Sequence, residues 1–399
     1  MTPVEALGRR AEVAVTGTGA VSALGGDTAS TWRHVLDGRT AVRHWPDLAA
    51  EGHAVDVACR VGHDVIGPEV AASRRGRALA VRASHEALGD AGLIGEDGRL
   101  VDGLDPGRVG VFVGTTMGES GVYEDAEASG HFDLAEGGSH VLAQAIARAH
   151  GITGPVRTLG TACAAGNYAI GAAARAVASG RLDVAVAGGV EPFSRIAMVG
   201  FARMRAMAPD GCAPFGAGRR GMTLGEGAAL LVLARADDAV RVRAVVGGLG
   251  LSADAHHPTA PREDGSGMAA AMASALRLSG LSPDDIGWVS AHGTGTPRSD
   301  AAEALALHTV FGDAPPPVSS AKGALGHALG AATALEAVLA VRALESGVLP
   351  PNAGTSDLDG SLGLDVVLRA RPDPDLRHVL SCGYAFGGLN SALVLGRAA

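Results

Sequence analysis

The chain has 399 residues, 47% hydrophobic, 19% charged and 3% aromatic, with 59 glycines, which fits a large α/β unit built from two halves and excludes a disordered chain. A formal charge of −9 with no basic run excludes a nucleic-acid partner, and the absence of any apolar run of about 18 residues excludes a membrane span. The start lacks the pattern of a signal peptide, so a cytoplasmic protein is expected, and cysteines at 59, 163, 212 and 382, with no C-x-x-C pair, fit neither a disulfide framework nor a zinc site.

In chain order, "AEVAVTGTG", "GRVGVFVGTT", "DVAVAGGVE", "RAVVGGLG", "IGWVSAHGTG" and "HVLSCGYAFGG" each read as a buried strand that feeds a tight glycine turn. The first, extended to "TGTGAVSALGG", resembles a dinucleotide fingerprint. Ser22 stands where its third glycine is required and no ribose-binding acid follows, so the segment is read as a structural turn. Between the strands lie Ala-rich helical stretches such as "RALAVRASHEALGDAG" and "SGMAAAMASALRLSG", and this alternation predicts an α/β protein with its reactive groups at the carboxyl ends of strands. Two helical stretches look like counterparts. Cys163 to Gly180 and Gly326 to Gly347 are both built of small residues, are expected to be buried on all sides, and both stop at Ser-Gly. Their spacing predicts a duplicated fold with the active site between its halves, residues 10–235 and 236–397.

Three stretches carry chemistry. "TLGTACAAGNYAIG" sets Cys163 at the first turn of a helix, where the helix terminus favours thiolate and Ala-Ala-Gly leaves room for a substrate. "WVSAHGTGTPRSDAAEA" ends a strand at His292 and supplies hydroxyls at Thr294 and Thr296, with Asp300 and Glu303 on the helix that follows. "SSAKGALGHALGAA" carries His327 five residues after Lys322, the single lysine among 33 basic residues. A compact ammonium fits a small polar cavity where the planar guanidinium of arginine does not.

These segments, together with "VAVAGGVEPFS", "LGEGAALLVL" and "GYAFGGLNSALVLG", resemble the β-ketoacyl synthases, the elongating condensing enzymes of fatty-acid and polyketide synthesis. The resemblance spans nearly the whole chain. It implies the thiolase-like fold, two similar βαβαβαββ halves in a five-layered αβαβα sandwich, normally dimeric and with no metal or redox cofactor. It further implies Cys163 as nucleophile, His292 and His327 as donors to an enolate, and Lys322 with Glu336 as their support. The oxyanion donors and gate fall on Cys163, Phe386, Gly387 and Gly388, and Thr294, Thr296 and Met117 on the pantetheine and acyl pockets. The substrates would arrive on acyl carrier protein, an acidic partner expected to dock on Arg74, Arg75, Arg77, Arg219 and Arg220. The dimer partner would be a second copy or a ketosynthase-like paralogue.

Some positions depart from the family pattern. Gly216 and Arg220 stand where aspartates are usual, Ala385 and Leu389 where Gly and Thr are usual, and Glu119 to His140 looks rewritten. These departures favour a synthase of specialised metabolism over a housekeeping fatty-acid enzyme. A chain-length-factor subunit, which usually lacks the nucleophile, a thiolase, with Cys382 as second cysteine, and a non-catalytic acyl-binding module are the competing readings.

Overall fold

The structure, a computed structural model, describes residues 12–130 and 134–398. Residue 10, where the N-terminal half is expected to begin, and residues 131–133 of the rewritten segment lie outside that range. The N-terminal strands are β1 (Val13–Ser22), β2 (Val109–Gly114), β3 (Val156–Leu159), β4 (Val184–Glu191) and β5 (Gly227–Arg235). The C-terminal strands are β6 (Ala244–Ala253), β7 (Trp288–Ser290), β8 (Val318–Ser319), β9 (His378–Ala385) and β10 (Leu389–Arg397). Their spatial order is β8-β7-β9-β10-β6-β1-β5-β4-β2-β3. Counted within its own half, each set of five therefore runs third, second, fourth, fifth, first. In each half the second strand is parallel to the third and fourth, while the fifth is antiparallel to both its neighbours. The halves join where Val13, Ala14 and Val15 of β1 pair antiparallel with Val246, Val245 and Ala244 of β6.

Seven helices of this frame matter to the site: α1 (Arg75–Asp90), α2 (His140–His150), α3 (Ala165–Ala178), α4 (Arg195–Arg203), α5 (Ser266–Ser279), α6 (Pro297–Phe311) and α7 (Leu329–Ser346). Helices α3 and α7 form the middle layer, where Ala169, Ile170, Ala173, Ala334, Leu335 and Val338 share one apolar core with strands of both halves. Leu79, Ala83 and Ala87 of α1, with Leu142 and Ile146 of α2, cover the outer face of the N-terminal strands. Met268 and Met272 of α5, with Ala302 and Leu307 of α6, cover the C-terminal ones. Small residues make these layers close. A Cβ on Gly17 or Gly19 would lie 2.2 and 2.0 Å from the carbonyl oxygens of Ala87 and Ala83, so the glycines of "TGTGAVSALGG" admit helix α1 against the sheet.

The two middle helices start later than the sequence predicts. Cys163 sits in a preceding 3-10 turn, Ala162–Ala164, before α3 begins, and α7 begins at Leu329 rather than Gly326. In both cases the reactive residue lies on the turn that enters the helix. Ala162 and Leu329 adopt positive φ, +47° and +40°, a strained conformation that costs on the order of 1–3 kcal/mol at a non-glycine residue.

Candidate active site

Cys163, His292 and His327 converge between the halves, all three buried. The Cys163 Sγ lies 3.1 Å from His327 Nε2, and the two imidazoles meet edge to face with centroids 5.4 Å apart. His327 is set by backbone from the other half: its N–H donates to Thr223 O (2.7 Å) and its carbonyl accepts from Gly225 N (2.9 Å). His292 is set by α6. Glu303 accepts the N–H groups of His292 and Gly293, both at 2.8 Å, and Asp300 accepts those of Thr294 and Gly295, both at 3.1 Å. The Gly-Thr-Gly-Thr turn is thus wrapped around two buried carboxyl groups, which burial raises to about 7 for Glu303 and about 6 for Asp300 against the pull of those hydrogen bonds.

Lys322 is 1% exposed. Its ammonium donates to Glu336 Oε1 at 2.5 Å and to the His292 carbonyl at 2.6 Å, so one side chain ties α7 to the histidine turn. Burial pushes the Glu336 carboxyl up, with the lysine acting against it. Burial and then the Lys322 charge hold both histidines well below the usual imidazole range, which keeps them neutral. The Cys163 thiol is not the low-pKa group expected of a helix terminus. Burial pushes it up to about 12 although Lys322 lowers it, because the group is enclosed and the ammonium is already engaged by Glu336. The resting nucleophile is a thiol beside the neutral His327.

A cleft of about 480 Å³ opens from these residues to the surface. Thr294 and Thr296 line it, their hydroxyls 2.9 Å apart, and Phe386 stands at its mouth, 38% exposed and 5.6 Å from the ring of Phe201. Gly387 and Gly388 follow at φ +84° and +72°, and Gly387 N donates to Pro258 O (2.7 Å) and Asp254 N to Gly388 O (2.8 Å). Met117 is not on the cleft. It packs on the apolar cluster that holds Cys163, while its N–H donates to Glu191 (2.8 Å).

The expected docking arginines are corrected in part. Arg75 is 6% exposed and forms a two-point ion pair with buried Glu226, an internal strut that no carrier can reach. The Arg219 side chain is also buried and bonds Asp359 (2.7 Å) and Gly216 O (2.9 Å), so it too is engaged internally. Arg77 pairs with Glu136 (2.6 Å) and with Glu119 (3.5 Å). Arg74 and Arg220 are exposed, and Arg220, paired with Asp210, borders the cleft. Three features escaped the sequence reading. Arg205 and Arg298 line the cleft. The Tyr384 ring lies 5.6 Å from His292. Glu191 accepts from Thr116 (2.7 Å), Met117 and Gly330 (both 2.8 Å), stitching the end of β2 to the start of α7. A buried acid at a strand end, as in "AGGVE", is the sequence signal that marks it. Cys382 is buried on β9, its thiol raised by burial. Among the described residues no group of three or more His, Cys, Asp or Glu is placed to hold a metal ion, and no helix is long and apolar enough to cross a membrane.

The chain matches the models of the beta-ketoacyl synthase N-terminal domain over residues 10–239 and C-terminal domain over residues 243–356. It is 35% identical to nodulation protein E of Rhizobium meliloti (strain 1021), covering 96% of this chain and 98% of that one. With 3-oxoacyl-[acyl-carrier-protein] synthase 2 of the same organism it shares 33% identity over 96% of this chain and 98% of that one. A solved structure, the ishigamide ketosynthase/chain length factor, superposes with a TM-score of 0.88 at 35% identity, covering 98% of this chain and all of that one.

Proposed function

Since the chain belongs to the β-ketoacyl synthase family and is a condensing enzyme of the thiolase-like fold, we propose that its cleft joins an acyl group on Cys163 to a malonyl unit, both delivered on acyl carrier protein. The observation that carries this reading is the Cys163 thiol 3.1 Å from a neutral His327, with His292 beside it. Cys163 attacks the acyl thioester carbonyl and gives its proton to His327 Nε2; the pantetheine sulfur leaves and takes that proton. In the second half, the malonyl carboxylate departs as carbon dioxide. The bond electrons form an enolate whose oxygen accepts hydrogen bonds from Nε2–H of His292 and, once its single proton has moved from Nδ1 to Nε2 between the two half-reactions, from Nε2–H of His327. Its carbon attacks the acyl carbonyl, the backbone N–H groups of Cys163 and Phe386 hold the oxyanion, and the collapse expels Cys163 as thiolate. That thiolate takes one proton from solvent, which resets the thiol. No strong base is needed, because loss of carbon dioxide supplies the carbanion. No cofactor takes part in this scheme.

Two further assignments belong to it. Arg74, Arg205 and Arg220 dock the acidic carrier in place of the buried Arg75 and Arg219. Ala385 and Leu389, beside the gate, fit a synthase of specialised polyketide metabolism. The decisive experiment incubates the protein with acyl-carrier thioesters of several chain lengths and weighs Cys163, then adds malonyl-carrier protein and identifies the product by mass. Acyl mass on Cys163 followed by a β-ketoacyl product two carbons longer is expected. Turnover with coenzyme A esters in place of carrier thioesters would return the thiolase reading, and no acylation at all would leave a scaffold subunit.

A further inference from the structure

His327 is pinned by backbone of the other half, and His292 by Glu303 and Lys322. Cys163 is held differently. It lies on the 3-10 turn Ala162–Ala164, and the residue at the cap of α3, Ala164, has no side chain that can accept a hydrogen bond. The first N–H groups of a helix find no carbonyl within it. That of Asn167, the third residue of α3, finds an acceptor outside: it donates to Thr333 Oγ1 of α7 at 3.0 Å. The Asn167 side chain reaches the opposite way. Its Nδ2 donates to Ser381 O of β9 (3.2 Å) and to Ser391 Oγ of β10 (3.3 Å), and Ser391 Oγ donates to Gly383 O (3.1 Å). About one turn past the nucleophile, Asn167 thus joins α3 to the helix that follows His327 and to the strand that leads to Phe386.

This is a polar cluster inside an apolar layer. Asn167, Thr333, Ser381 and Ser391 are all buried among the alanines of the core, and Asn167 Oδ1 and Ser381 Oγ have no hydrogen-bond partner among the described residues. Buried polar groups left partly unpaired cost stability, so the cluster is accounted for by what it places. Glycines make room for it. A Cβ on Gly166 would lie 2.7 Å from Thr333 Oγ1, and one on Gly383 would lie 2.4 Å from Thr333 Cγ2.

We propose that Thr333 is a positioning residue for the nucleophile: its hydroxyl caps α3 through the Asn167 N–H and holds Cys163 where His327 takes the thiol proton. Because His327 is fixed by Thr223 and Gly225, loss of the cap moves the sulfur and not the imidazole. The inference rests on the condensation reading for the use made of that proton transfer.

The experiment reads Cys163 with and without substrate. Iodoacetamide forms a carbon–sulfur bond and releases iodide while the thiol proton passes to His327, and peptide mass locates the label. Thr333→Val keeps the shape and removes the acceptor, whereas Thr333→Ser keeps the acceptor and removes a methyl group. At about pH 8, alkylation of Cys163 and single-turnover acylation from acyl-carrier thioester are both expected to slow at least about tenfold in Thr333→Val and to stay within about twofold of wild type in Thr333→Ser. Decarboxylation of malonyl-carrier protein, which uses the histidines and not the thiol, is expected to stay within about threefold of wild type in both, as a general loosening of the fold would not allow. Wild-type alkylation and acylation in Thr333→Val, equal losses in Thr333→Ser, or decarboxylation lost in step with acylation overturns the proposal. Circular dichroism verifies the fold, and if Thr333→Val is unfolded, Thr333→Ala against Thr333→Ser decides by the same comparison. Alkylation needs no carrier substrate, so a protein that condenses nothing still tests the cap, while turnover with equal rates in every variant removes the cap and leaves the condensation reading intact.

Discussion

Lys322 is buried and bonds Glu336 and the His292 carbonyl, where the broader guanidinium of Lys322→Arg must displace one of them. A shift of about 1 Å at a catalytic group can cost on the order of a hundredfold in rate. Decarboxylation of malonyl-carrier protein is expected to fall by about that factor, while single-turnover acylation of Cys163, which uses His327, falls less; equal losses in both would assign the lysine a purely structural part. A second expectation concerns pH. His327 must keep a lone pair to take the thiol proton, and its pKa is depressed by burial and by Lys322, so it stays neutral below the range in which free imidazole charges, about 6.5. Acylation rates measured from pH 8 down to pH 6 are therefore expected to show no histidine break, and a break near 6.5 would mean an imidazole in contact with water.

At the scale of elements, helix α6 organises the histidine turn through two carboxyl groups. Glu303→Leu removes the acceptor of two buried N–H groups, those of His292 and Gly293, and each donor left unsatisfied costs about 1–3 kcal/mol. Chemical denaturation is expected to register that loss, and Glu303→Gln, which keeps one acceptor oxygen, is expected to recover part of it. Much of this was legible in the sequence. Glycine-ended strands, Cys163 on the entry to a small-residue helix, and His292 and His327 at strand-to-helix turns are local patterns. What was not legible is what depends on distant partners. Nothing near Arg75 announces Glu226, 151 residues away, and nothing near Cys163 announces that enclosure outweighs the helix terminus. The short strand β3 lacks the apolar run that marked its neighbours, because it lies at an edge of the sheet and pairs only with β2 among the described residues.

Across the whole molecule, the two roles open to arginine separate by burial. Arg75→Ala strands the Glu226 carboxylate in the interior, and breaking a buried pair costs about 3–5 kcal/mol, so a lowered melting temperature with little effect on the carrier KM is expected. Charge reversal at the exposed Arg205 and Arg220 is expected to do the opposite, raising the carrier KM most at low salt with melting unchanged. Steady-state assays at two ionic strengths, paired with thermal unfolding, check both. The lone lysine has a further use at this scale. With Nζ of the single lysine enclosed, amine-reactive reagents find no lysine among these 399 residues while they are folded. Acylation of Lys322 by such a reagent, read by peptide mass, is expected to track opening of the middle layer, so its rate against denaturant gives the local stability of the catalytic centre without any introduced label. The protein carries a built-in clock for the breathing of its own core.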